Sequence, residues 1–321
     1  MTACATLVDR FAGPRRRLIG PSLCRLILAL ASLHLYVASY PQRAFLWGPA
    51  GVSPIAERAA WGPLAPSAGL LPSLSLYFLS DSRAWFEAVY HGGIIAALLF
   101  GVFGGTLFTF LHWVFFTSLL ERLAITLEGG DNVARIILLL MLGLCTHAYF
   151  SPGARRRRER LIAEGPSAAA LLHNSAAALA GFQVALIYLA SGLAKLGGDR
   201  WLDGTAVYYA TRFDAMHHFA GLDWTTASPA VVAGITFGVL ALEILYPALL
   251  WLRSTRRLTV ALAVAMHVGI ALKMGLVSFG LVMIAANALM LTDDDYRALA
   301  RLVGAGRGAP AVSNGDAAPL H

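Results

Sequence analysis

Apolar runs of bilayer length recur along the whole chain and leave it few ways to fold. They occupy residues 19–39, 85–103, 107–127, 133–149, 168–196, 230–252, 258–274 and 277–291. No water inside a bilayer satisfies backbone N–H and C=O groups, so an apolar segment of about 20 residues crosses as an α-helix. These runs predict an all-α fold, a polytopic membrane helical bundle of about eight transmembrane helices. Of the 321 residues, 58% are hydrophobic and 13% charged, which excludes an ordinary soluble domain. A formal charge of +7 would suggest nucleic acid in a soluble protein. In a multi-span chain the arginines sit in topology-setting loops instead, so the expected partner is the lipid bilayer, with no nucleic acid.

The arginines fall in alternate loops. Arg10, Arg15, Arg16 and Arg17 precede the first run, Arg155 to Arg158 with Arg160 follow the fourth, and Arg253, Arg256 and Arg257 follow the sixth. The positive-inside rule places these loops in the cytoplasm and predicts N-in/C-in, as a multi-pass protein of the cell inner membrane. The predicted organisation is a basic cytoplasmic arm (1–18), a transmembrane domain (19–292) and a largely disordered cytoplasmic tail (293–321). The first run is longer than the apolar region of a signal peptide and reads as an uncleaved span. Residues 40–83, with Trp47, Pro54, Trp61, Pro63, Pro66 and Pro72, are too broken to span and read as an interfacial loop. Cys4, Cys24 and Cys145 form no CxxC pair, so free thiols are expected, with no metal site.

Polar residues inside apolar runs are the candidates for chemistry. Lys195 closes the fifth run, with Gly192, Ser191, Tyr188 and Val184 on the same helical face. Two readings are open: the lysine snorkels to the outer headgroups, or it points into a cavity as a desolvated amine able to act as a general base. Glu243 and His267 fall near the middle of the sixth and seventh runs and are expected to meet as a carboxylate orienting an imidazole. That pair serves either as one interhelical hydrogen bond or as part of a proton relay or quinone contact. Lone histidines at 34, 91, 112 and 147 read mostly as satisfied bundle residues, and His217 and His218 as surface residues. The candidate catalytic set is Lys195, Glu243 and His267. Tyr188, Ser191, Trp201, Asp203, His112, Asp131 and Asn132 are the candidate cavity or substrate-binding residues. Any cofactor is unknown, a quinone or hydroquinone being the candidate.

The stretches Q-V-A-L-I-Y-L-A-S-G-L-A-K-L (183–196) and D-R-W-L-D-G-T-A-V-Y-Y (199–209) carry a family resemblance. They are joined by H-W-V-F-F-T-S-L (112–119), L-E-G-G-D-N (127–132), L-E-I-L-Y-P (242–247), M-H-V-G-I (266–270) and S-F-G-L-V-M-I (278–284). Together they resemble the HTTM domain, the transmembrane module shared with vitamin K-dependent gamma-carboxylases. The resemblance implies that Lys195 falls on the carboxylase lysine that deprotonates vitamin K hydroquinone on the lumenal side. The carboxylase turn that carries a functional histidine reads Glu-Gly-Gly-Asp-Asn here, without one. In length and motifs the chain is also similar to the bacterial sporulation-delaying-protein B (SdpB) type, which matures and exports a secreted toxic peptide. Two functions follow as expectations: a membrane enzyme acting on a quinol or a secreted peptide at the outer face with Lys195 as base, or a non-catalytic partner for maturation or export of a small antimicrobial peptide.

Overall fold

The computed structural model describes residues 11–55, 75–123, 128–212 and 219–305. Trp61, Pro63, Pro66, Pro72, His217, His218 and Cys4 lie outside them. The chain is helical, with no strand among the described residues: α1 (Ile19–Ala38), α2 (Arg43–Trp47), α3 (Arg83–Phe103), α4 (Gly105–Arg122), α5 (Gly129–Met141), α6 (Ala154–Ala163) and α7 (Ala168–Lys195). Then come α8 (Asp199–Leu202), α9 (Ala206–Ala210), α10 (Pro229–Trp251), α11 (Arg256–Met274), α12 (Val277–Ala288) and α13 (Asp293–Ala305).

Local chemistry sets most helix starts. Ser82, Ser167 and Ser228 each accept a backbone N–H from the first turn of α3, α7 and α10, and Pro229 opens α10 where no N–H is needed. Glu128 and Asp131 form a reciprocal capping box on α5. The start of α1 has a tertiary cap instead, since the Asp293 carboxylate accepts from Leu18 N at 3.1 Å and Ile19 N at 2.9 Å. Gly104, at φ +64°, makes the tight corner between α3 and α4, a conformation that a side chain would strain.

Five described helices, α1, α3, α7, α10 and α11, are long and apolar enough to cross a membrane, and six if α12 and α13, bent by 108°, form one broken span. Each predicted run coincides with a helix, but the fourth and eighth are shorter than expected. Helix α5 stops at Met141, because the following residues exchange helical bonds for tertiary ones: Thr146 Oγ1 accepts from Gly105 N at 2.8 Å and His173 Nδ1 from Cys145 N at 2.9 Å. The short α12 lies centrally, packed on α1, α5 and α11, while α7 packs on α10 and α5, and α10 on α11. Gly20 and Gly280 permit this closeness, since a Cβ would come within 2.6 Å of Ala288 O and 2.9 Å of His267 O respectively.

The outward faces match a lipid solvent. On α7 the buried stripe Val184, Tyr188 and Gly192 is backed by exposed Leu172, Leu179, Phe182, Leu186 and Leu193. An exposed apolar face along so long a helix is stable only against hydrocarbon.

Candidate functional site

Lys195 is the last residue of α7, where a cation complements the helix dipole. Its side chain runs back along its own helix, and Nζ donates to Ser191 Oγ at 2.6 Å. Nζ also donates to both oxygens of Glu243 on α10, at 2.9 Å and 2.7 Å. The three donors of the ammonium are therefore used inside the bundle. The side chains are 21% and 8% exposed, so the lysine faces its neighbour helix rather than snorkelling into lipid. The Trp201 ring stands over the ammonium, 5.1 Å from Nζ.

Two features let the end of α7 meet the middle of α10. Gly192 provides the approach, since a Cβ there would lie 3.0 Å from Ile244 N and 3.1 Å from Glu243 Cβ. The first turns of α10 rise past Lys195 beside residues 199–212. Thr236 Oγ1 accepts from Val207 N at 3.3 Å, and Gly204, at φ +79°, sits against Ala233 and Phe237. Helices α8 and α9 thus roof the end of the bundle beside the ion pair.

The expected pairing of Glu243 with His267 is not what forms. Glu243 takes Lys195, because attraction between two opposite charges in a low-dielectric interior exceeds a hydrogen bond to a neutral ring. His267, on α11, binds Tyr188 instead, with Nε2 2.8 Å from the phenol oxygen. The Asn287 amide donates to the same phenol at 2.7 Å and accepts from Tyr246 OH at 2.7 Å. Tyr188 and His267 therefore share one hydrogen bond, whose direction is set by the tautomer of the imidazole. Nδ1 is buried with no hydrogen-bond partner among the described residues. Tyr188 and Tyr246 stack with ring centroids 3.9 Å apart. One polar chain therefore joins α7, α10, α11 and α12 next to the ion pair, although no hydrogen bond links the two sets.

Lys195, Glu243, Ser191 and Trp201 form one cluster, and Tyr188 and His267 the adjoining one. The other candidates lie elsewhere. His112 bonds Ser32 Oγ at 3.0 Å and stacks on Phe100, fully buried among α1, α3 and α4. Asp131 is held in the α5 capping box, and Asn132 accepts from Arg135 Nη2 at 2.7 Å while Arg135 also pairs with Glu121. Asp203 folds its own turn, accepting from Thr205 N at 2.9 Å and Oγ1 at 2.6 Å. Those bonds from Thr205 hold its carboxyl below the usual range. The capping-box turn still borders the histidine side of the site, since Gly130 packs on Phe279 and Phe279 meets the His267 ring edge-on. Asn287 and Tyr246 were not among the sequence candidates; a lone asparagine in the apolar run A-A-N-A was the available signal.

Comparison with known proteins places these residues in one family. An uncharacterized protein of Bacillus subtilis (strain 168), YitO, is 28% identical over 280 residues, covering 85% of each chain. No solved structure matches. The HTTM domain matches residues 133–294, a range that holds Lys195, Glu243, His267 and Asn287 but neither His112 nor Asp131 and Asn132. With half of its length in that match and its helices built for lipid, this chain is a multi-pass membrane protein and belongs to the HTTM domain family.

Proposed function

We propose that the protein is a membrane enzyme, related to the vitamin K-dependent gamma-carboxylases, in which Lys195 acts as base on a lipid-soluble quinol or a secreted peptide. The observation that carries this reading is the inward turn of Lys195 onto the Glu243 carboxylate, 2.7 Å away, under the α8–α9 roof. A lysine that only anchored a helix end would gain more by reaching the headgroups. Here the Glu243 carboxylate, 2.7 Å from Nζ, is placed to take one proton from it and leave a neutral amine. The amine then accepts the proton of a substrate hydroxyl, while Ser191 keeps Nζ directed and the Trp201 face attracts the ammonium that results. His267, Tyr188, Asn287 and Tyr246 hold the four surrounding helices in register and form the wall of the site. The enzyme sits in the bacterial inner membrane with Lys195 towards the outer face.

A hydroxynaphthoquinone whose anion absorbs visible light tests this reading. Added to the purified wild-type protein near the pH of its own ionisation, the probe should shift towards the anion, and Lys195→Ala should abolish the shift while helix content and monodispersity stay unchanged. Equal ionisation with wild type and variant would remove Lys195 as the base.

A second reading, a non-catalytic partner for maturation or export of a small secreted peptide, is favoured by the exposed Tyr209, Phe219 and Trp224 on the same end as Lys195. It requires only a positive charge beneath that surface. Lys195→Arg should then keep peptide maturation in cells, whereas a base cannot be replaced by a guanidinium that holds its proton.

A further inference from the structure

A slot of about 460 Å³ opens between α1 and α3 on the lipid-facing side, far along the chain from Lys195. Leu26, Leu30, Leu98 and Val102 line it, and Phe150 and Ser151 close one end. At that end the charge is strongly positive. Arg25 is fully buried and donates to Gly101 O at 2.7 Å and Phe150 O at 2.6 Å. Arg157, from α6, reaches Ser151 Oγ and His147 O, both at 3.3 Å. Arg158 stacks on Tyr149, 4.7 Å from the ring centroid. Arg155 differs, since it pairs with Glu159 one turn on. Among the described residues, Arg25, Arg157 and Arg158 have no carboxylate within ion-pair distance. Their partners are carbonyls, a hydroxyl and an aromatic face, which leave the positive charge uncompensated.

An apolar slot open to hydrocarbon, ending at uncompensated guanidiniums where the chain leaves the bilayer, matches the two chemistries of one molecule. We propose that it binds one anionic phospholipid, with an acyl chain in the slot and the phosphate held by Arg157 and Arg158. Arg25 is too buried to touch the phosphate and contributes its field. A zwitterionic lipid fills the slot equally well but carries its own cation into the arginine cluster, so the site discriminates by headgroup charge.

The test is native mass spectrometry of the detergent-purified full chain, titrated with phosphatidylglycerol and phosphatidylcholine of identical acyl chains. Wild type should retain phosphatidylglycerol preferentially. Arg157→Gln should weaken that binding about five-fold, the contribution of one arginine near a membrane surface. Leu98→Trp, at an exposed position that fills the slot without changing charge, should lower occupancy by both lipids. Glycerophosphoglycerol and inorganic phosphate should not displace the bound lipid; displacement by either would reduce the site to a simple phosphate site and overturn the proposal. Equal retention of the two lipids by wild type would also overturn it, and that comparison needs no variant. So would wild-type binding and preference in either variant.

Discussion

A charge held away from water is tolerated only while its partner stays, and among the described residues Lys195 and Glu243 each have the other as their one ion-pair partner. Glu243→Gln leaves the ammonium with Ser191 and a neutral carbonyl. Removing one member of a buried pair costs roughly 3–5 kcal/mol, and the 21% exposure of Lys195 places this case towards the lower figure. The thermal midpoint in detergent should drop by several degrees. Replacing both residues, Lys195→Met with Glu243→Leu, removes the desolvation cost together with the attraction and should restore most of the stability without restoring probe ionisation. A double variant as unstable as Glu243→Gln would mean that the pair itself, rather than an abandoned charge, holds α7 to α10. At this scale the sequence was half legible. Helical spacing puts Ser191 and Tyr188 beneath Lys195, and both are there. Partners across helices are less legible, because one chain's spacing fixes depth only loosely: depth alone pairs Glu243 with His267, whereas Glu243 bonds Lys195 and His267 bonds Tyr188.

Helices were readable as apolar runs. Tertiary capping was not, since nothing local in Ile19 announces Asp293. The start of α13 acts as a fastener. Asp293 caps α1, and Asp295 accepts from Arg256 Nε at 2.9 Å and Thr292 Oγ1 at 2.7 Å. Burial pushes the Asp295 carboxyl up, but the bonds from Thr292 and Arg256 outweigh it and hold the group below its ordinary value. A carboxyl depressed in the folded state stabilises fully above its unfolded pKa, about 3.9, and loses that contribution as pH falls through the lower folded value. Thermal stability owed to this group should therefore be level from neutrality to about pH 4 and decline only below it. Asp295→Asn should lower the plateau and flatten the acid decline, measured by melting from neutral pH into acid. An unchanged acid limb in the variant would assign that limb to other carboxylates.

Over the whole molecule, the contacts sort the loops into two ends. Arg15 pairs with Glu164, the Asn174 amide donates to Phe11 O at 2.8 Å, Asp293 caps α1 and Asp295 holds Arg256. These bonds gather the amino-terminal arm, the start of α7, the α10–α11 turn and α13 at one end. At the other end lie Lys195, the α8–α9 roof, and Lys273 bonded to Asp223 at 2.5 Å. The arginine-rich loops all fall in the first group, and the positive-inside rule then predicts that this end is cytoplasmic and that Lys195 lies towards the outer face. Single cysteines test the assignment against a Cys4→Ser background, since Cys24 and Cys145 are buried. In intact cells a membrane-impermeant maleimide should label Asp199→Cys at once and Arg156→Cys only after permeabilisation. The reverse pattern would turn the molecule over and place the Lys195 site in the cytoplasm, where a secreted peptide could not reach it after export. A quinol dissolved in the membrane could still reach it, so the reverse pattern would also remove the peptide and leave the quinol as the substrate of that lysine.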